Sequence, residues 1–230
     1  DGSSVINSVK LQDCFVGEAC KLSNGFTAAQ SVFFANSYMS NGEACAAFCG
    51  PFSSSHHKSS LIIGGMFSFY NAGSATNFSN HAYKMGPIHH GTMERGSKTA
   101  SGTHVLWPAS IGAFSMVMGK IQTHPDTSMF PFSYVIGEGR KTYLVPGRNL
   151  CTVGTYRDVM KWPKRDKRPL NGRLSLITFD WLSPYVIERI RAGLQTMMEM
   201  QEEQGYEAEE YEGQGFFIKS QSLQRGIQYY

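Results

Sequence analysis

No run of about 18 apolar residues occurs in this 230-residue chain, so nothing in the sequence reads as a membrane-spanning helix. The opening DGSSVINSV lacks a charged and then apolar leader, so no signal peptide is expected there. Neither a Walker phosphate loop nor a GxGxxG turn is present, and no GxSxG elbow. Cysteine is sparse and odd in number: Cys14, Cys20, Cys45, Cys49 and Cys151 show no paired spacing. That pattern points to a reduced, cytoplasmic protein rather than a disulfide framework. Cys45 and Cys49, with His56 and His57 nearby, match no standard zinc-finger spacing, so no metal ligand set is assigned. The net charge of +3 is too small to mark a nucleic-acid partner. Between residues 51 and 124 Glu94 is the only carboxylate, and histidine is missing from everything outside that region.

What is abundant is a period. From Val16 onward small or apolar residues return every sixth position: Val16, Leu22, Ala28, Phe34, Ser40, Ala46, Phe52. A second ladder runs beside it through Cys20, Phe26, Val32, Tyr38, Ala44 and Gly50. An amphipathic helix needs spacings of three and four, and a half-buried strand needs strict alternation, so neither explains the pattern. A coil with one short flat side per hexad does, three sides closing each turn and the stacked turns burying both ladders. The fold expected is mainly β: a left-handed parallel β-helix of hexapeptide repeats, with a C-terminal helical extension.

Along the chain, residues 1–154 read as the β-helix, with a long polar loop inserted at about 76–104 where the apolar period lapses. The ladder returns at Val105, Ile111 and Val117. Residues 155–230 read as a basic connector followed by helix. TYRDVMKWPKRDKR carries Arg157, Lys161, Lys164, Arg165, Lys167 and Arg168, either a solvated connector or a phosphate-binding patch. Ser183-Pro184 is a helix start, with Ser at the N-cap and Pro at the first helical position, and Gly205 ends that helix. YEAEEYEGQG reads as an acidic surface excursion, and SLQRGIQYY as the beginning of a further helix. The missing initiator Met and a pattern already running at residue 1 predict a chain truncated at both ends.

The seven histidines, His56, His57, His81, His89, His90, His104 and His124, are the strongest functional signal, because imidazole suits general-base work near neutral pH. The pairs in HHK and IHHG come with Asn80, Lys84, Arg95 and Lys98, side chains suited to an anionic or sugar ligand. On extended backbone adjacent histidines point to opposite sides, so one of each pair would face a cleft.

GPFSSSHHKSSLIIGGMFSFYNAGS, NFSNHAYKMGPIHHGTMERGSKT, LWPASIGAFSMVMG, YLVPGRNL and VGTYRDVMKWPKRDKR resemble an uncharacterised domain family widespread in Bacteroidota. It is similar in turn to the trimeric left-handed β-helix superfamily of lipid A acyltransferases and hexapeptide sugar acetyltransferases. The resemblance implies a homotrimer and one histidine, in a cleft between subunits, that deprotonates a hydroxyl or amine attacking an acyl thioester.

The function expected on that basis is acyl transfer to a sugar or sugar nucleotide, with coenzyme A or an acyl carrier protein as donor. His89 or His90 is the first choice of base, with His57 next. Lys84, Arg95 and Lys98 would bind phosphate or carboxylate, and Asn80 and His81 the sugar. The rival readings are a non-catalytic trimeric carbohydrate-binding or scaffold protein, a protein associated with sugar nucleotidyl transfer, and a zinc hydratase needing three histidines around one ion.

Overall fold

The computed structural model describes residues 2–84, 86, 88, 90–171 and 173–230. Its body is a three-sided solenoid of short parallel strands. Face A stacks eight rungs that begin at Ser4, Lys21, Tyr38, Ser54, Asn71, Lys98, Met116 and Tyr134. Face B stacks Lys10–Gln12, Thr27–Ala29, Glu43–Cys45 and Leu61–Ile63, then Asn77, His104–Val105 and Lys120–Ile121. Face C runs from Phe15–Val16 through Val32–Phe33, Phe48–Cys49, Met66–Phe67 and Thr92–Met93 to Ser110–Ile111.

The parallel coil expected from the sequence is therefore present, but its period is looser than six. The inward residues are Val16, Leu22, Ala28, Phe33, Met39, Ala44, Cys49, Ser55, Ile62 and Phe67, so the steps vary from five to seven. From Phe33 in the second coil the inward position falls before the sixfold ladder, by one residue at Phe33 and Met39, two at Ala44 and three at Cys49: Phe33 is fully buried while Phe34 is only partly so. In a strand a shift of one residue exchanges the two faces, which is why Phe34 falls outside the core, whereas Ala46 lies past the strand Glu43–Cys45 at a positive-φ corner. Each buried Phe, Leu or Ile on these ladders contributes about 1.5–3 kcal/mol, and the stack turns them into one continuous core.

The polar excursion is shorter than residues 76–104. Asn77 bridges Leu61 and His104, and Thr92–Met93, Lys98–Thr99 and His104–Val105 form an ordinary coil, so the departure narrows to about residues 79–91. The apolar period lapses there because the coil buries hydroxyls instead. Tyr70, Thr76 and Thr99 satisfy one another inside it, with 2.7 Å from Tyr70 to Thr99 and 2.7 Å from Thr76 to Thr99.

At the far end, Lys141–Val145 turns back antiparallel on Tyr134–Glu138, and Phe217–Lys219 and Glu210–Glu212 extend the same sheet. Residues 206–215, expected as an acidic surface excursion, thus include a strand whose Tyr211 is fully buried. Three helices follow the coil: α1 (Val153–Arg165), α2 (Pro184–Gln204) and α3 (Ser220–Tyr229). Helix α2 starts as its sequence demands, Ser183 Oγ accepting from the Val186 amide and Pro184 at the first position. Met197 and Met200 of α2 and Leu223 of α3 close the open end of the core, the cap that a solenoid needs. Among the described residues no helix is long and apolar enough to cross a membrane.

Candidate functional site, a basic cleft between face A and helix α1

One corner of the coil decides where the tail lies. At each turn between faces C and A a residue with positive φ sits in the corner: Ala19, Asn36, Phe52, Phe69, Gly96, Phe114 and Phe132. From Asn36 onward the amide at each of these corners donates to the carbonyl one coil below, as from Phe52 to Ala35, Phe69 to Pro51 and Phe132 to Ala113. The side chains point outward, so the phenylalanines pair on the outside of the coil. Phe52 stacks on Phe69 at 5.0 Å and Phe114 on Phe132 at 4.8 Å. Non-glycine residues in this conformation are uncommon and cost energy. Here the cost is offset by a second apolar cluster, which Trp162 of α1, Phe179, Trp181 and the start of α2 complete.

Trp162 rests on Phe69 at 4.5 Å, which lays α1 along the outside of face A. The chain after α1 is then pinned to the corner. Asn36 donates to Asp166 at 2.9 Å and accepts from the Lys167 amide at 2.8 Å, and Asp166 pairs with the buried Arg168 at 2.8 Å. Further along, Glu18 accepts from the Leu174 and Ser175 amides at 2.8 and 2.9 Å.

Between face A and α1 this leaves a cleft of about 590 Å³. One wall is the outward ladder Lys21, Tyr38, Ser54, Asn71 and Lys98, one residue per rung. Four rungs separate the two lysines, about 19 Å at the usual strand spacing. The other wall carries Arg157, Lys161 and Arg165, four residues apart and so on one side of α1, spanning about 12 Å. Lys167 closes the rim. Among the described residues Asp158 is the one carboxylate lining the cleft, against six Lys and Arg side chains.

Asp158 pairs with Lys98 and lies 3.7 Å from Arg157. Burial still pushes the Lys98 ammonium down, to about 8, with Arg157 and Lys161 pressing the same way. Lys161 is lowered chiefly by desolvation and then by Arg157 and Arg165. The cations of the two walls thus repel one another across the space between them.

His56 also lines the cleft, two residues after Ser54, whose Oγ is 3.2 Å from Nδ1. Its ring is stacked on Tyr38 at 5.4 Å and 6°. Burial, His57 and Arg165, in that order, lower its pKa, so the ring is neutral at pH 7 and able to accept a proton.

The residues singled out in the sequence are not brought together. His89 lies outside the described residues. His90, His81 and Lys84 are exposed in the excursion, away from the cleft lining. Asn80 is fully buried, and both ends of its amide are used by the Trp107 backbone, at 2.8 and 2.9 Å, so it has a structural role. Arg95 lies over Phe69 at 4.0 Å and donates to the Thr178 carbonyl at 2.6 Å, within the corner cluster. His57 is exposed beside His56, their ring centroids 4.3 Å apart rather than on opposite sides of the strand. Lys98 alone among the expected anion ligands reaches the cleft. Among the described residues no three His, Cys, Asp or Glu side chains are grouped so as to hold a metal. His56 is one of the seven histidines and of the HHK pair, where the sequence reading favours its neighbour His57 as base; Tyr38, expected on the buried second ladder, instead faces outward into the cleft. The signal for the opposite wall was visible in the basic run from Arg157 to Arg168.

Fold and site together define a three-sided β-solenoid with a cationic cleft built between its own coil and its own C-terminal helix. The chain belongs to the family described as a domain of unknown function (DUF4954), which it matches over residues 1–201. That span includes every residue lining the cleft. No curated protein matches the chain.

Proposed function

We propose that this protein is an acyltransferase-like enzyme that holds a phosphate-bearing small molecule in the cleft between face A and α1. A sugar nucleotide or a coenzyme A thioester fits that description. One observation carries the reading: six cations against a single carboxylate surround a concavity of about 590 Å³. Such an excess of positive charge over a ligand-sized space favours a polyanion of low molecular weight. His56, neutral and oriented by Tyr38, replaces His89, His90 and His57 as the candidate base. In this role it takes the proton of an acceptor hydroxyl or amine as that atom attacks the thioester carbonyl. The tetrahedral adduct then breaks its C–S bond, and the departing thiolate takes the proton from the imidazolium and leaves as the thiol. The lysines and arginines hold the phosphates and leave the reacting end beside the imidazole.

Calorimetric titration with coenzyme A and with a uridine diphosphate sugar tests the binding. At least one should bind, more weakly as salt is raised, because exposed charges are screened within about 10 Å at 0.1 M. Replacing His56 with Ala should leave binding intact and lower acyl transfer by about 10²–10⁴-fold, the usual contribution of a general base. Absence of binding at low salt, or normal turnover of that variant, defeats the proposal.

A non-catalytic binding module is the second reading. It is favoured by the partner of His56 Nδ1, a serine hydroxyl rather than a carboxylate. Binding without transfer in the same titrations selects it. A homotrimer is compatible with either reading. Its support is an apolar stripe on face C, where Phe15, Phe48 and Met66 are 55%, 43% and 54% exposed. A monomer by light scattering at working concentration removes that part.

A further inference from the structure

We propose that the Lys98 ammonium is the seat of one ligand phosphate, and that Asp158 occupies this seat as an internal stand-in until the ligand displaces it. The inference rests on the phosphate-binding reading of the cleft and assigns a place within it. Lys98 projects from the floor of face A, and Asp158 reaches it from α1, so their ion pair bridges the two walls. Only about a fifth of either side chain is exposed, 21% for Lys98 and 22% for Asp158. A carboxylate is a small anion with oxygen acceptors, the same chemistry that a phosphate offers in larger measure. The pair is also surrounded by unbalanced charge: Arg157 is 3.7 Å from Asp158, and Arg157 and Lys161 both act on Lys98. Three cations share one carboxylate, which leaves an excess of two positive charges at this end of the cleft. A dianionic phosphate in place of Asp158 halves that excess to one positive charge, which the single carboxylate does not. Exchange therefore replaces an internal bond with a stronger external one. Because Asp158 is carried on α1, it also frees the helix from the coil at that point.

The test uses inorganic pyrophosphate and Trp162, which lines the cleft and reports binding by its fluorescence. A competitor that is removed should raise affinity, so Asp158→Asn should bind pyrophosphate about 5–10-fold more tightly than the unmodified chain, and Lys98→Met at least tenfold more weakly. The double variant separates local exchange from a general change in charge. If Asp158 competes at Lys98, Asp158→Asn has no effect in the Lys98→Met background; a long-range effect persists there. Thermal melts of each variant check that α1 stays docked, and Asp158→Ser repeats the measurement if the Asn variant melts early. Unchanged or weaker binding by both Asp158 variants overturns the inference while leaving the cleft intact. Failure of the unmodified chain to bind pyrophosphate or either nucleotide overturns the phosphate-binding reading itself.

Discussion

Gly96 is the position where the corner cluster is most exposed to a single methyl group. It occupies the corner between Phe69 and Phe114 with φ of +75°, and a Cβ there would lie 2.4 Å from Phe114 Cδ1 and 3.2 Å from Trp162 Cη2. Two costs follow for Gly96→Ala. An L-residue in the left-handed region loses about 1–2 kcal/mol. Forcing a methyl into packed rings adds about 1–3 kcal/mol. Together these give about 2–5 kcal/mol of destabilisation, at about 2–4 °C in Tm per kcal/mol for a chain of this size. Gly102 supplies the control: its φ is +71°, and nothing lies within 4 Å of its Cβ position. Gly102→Ala should therefore show only the first cost, so the difference between the variants, about 1–3 kcal/mol, isolates the packing. Urea unfolding followed by circular dichroism measures it. Because Trp162 is displaced, Gly96→Ala should also shift tryptophan emission to longer wavelength and weaken pyrophosphate binding, and Gly102→Ala should do neither. Equal stability losses in the two variants would falsify the claim that the aromatic corner positions α1.

Asp166 and Glu18 hold the segment after α1 to the coil, and both carboxyls are held below the usual carboxylate range: Asp166 chiefly by Arg168, Glu18 chiefly by Ser175. Depressed folded-state values mean stability that is present above the unfolded pKa and lost as pH falls, so hydrogen exchange at Leu174 and Ser175 should accelerate below about pH 4. Asp166→Asn leaves the Arg168 side chain, 2% exposed, without its counter-charge and should cost about 3–5 kcal/mol locally. Unchanged protection of the two amides in that variant would show that the pair does not hold the segment. Asn80→Ala should lower stability by about 1–3 kcal/mol through the orphaned Trp107 groups, with ligand affinity unchanged. A loss of affinity without a loss of stability would restore Asn80 to the binding site.

The coil was legible in the sequence because inward residues recur at short range, and each coil repeats the same demand on Leu22, Ala28 and their successors. Its register was not legible in full. Steps of five, six and seven residues all close a side, so a strict sixfold ladder runs true to Ala28 and then slides from Phe33 to Phe34. The polar coil from Thr92 to Val105 has the look of a loop in sequence for a related reason. Its interior is satisfied by hydroxyl pairs such as Thr76 with Thr99, which leave no apolar trace. Proximity of the histidines in sequence is no guide to proximity in space: among the described histidines His56 alone lines the cleft, while His104 lies on face B and His81 and His90 are exposed in the excursion.

Local matters are written in the chain alone: that it coils in parallel, that α2 begins at Ser183-Pro184 and ends at Gly205, and that Arg157 to Arg168 is strongly basic. Which outward residues meet depends on how the turns stack. Lys21, Tyr38, Ser54 and Lys98 lie 16 to 44 residues apart, and no local pattern marks them as one wall. Nor does any local pattern say that α1 folds back against that wall. That is settled by outward rings stacked at the coil corner, an apolar surface that exists only after the turns have been laid one upon another.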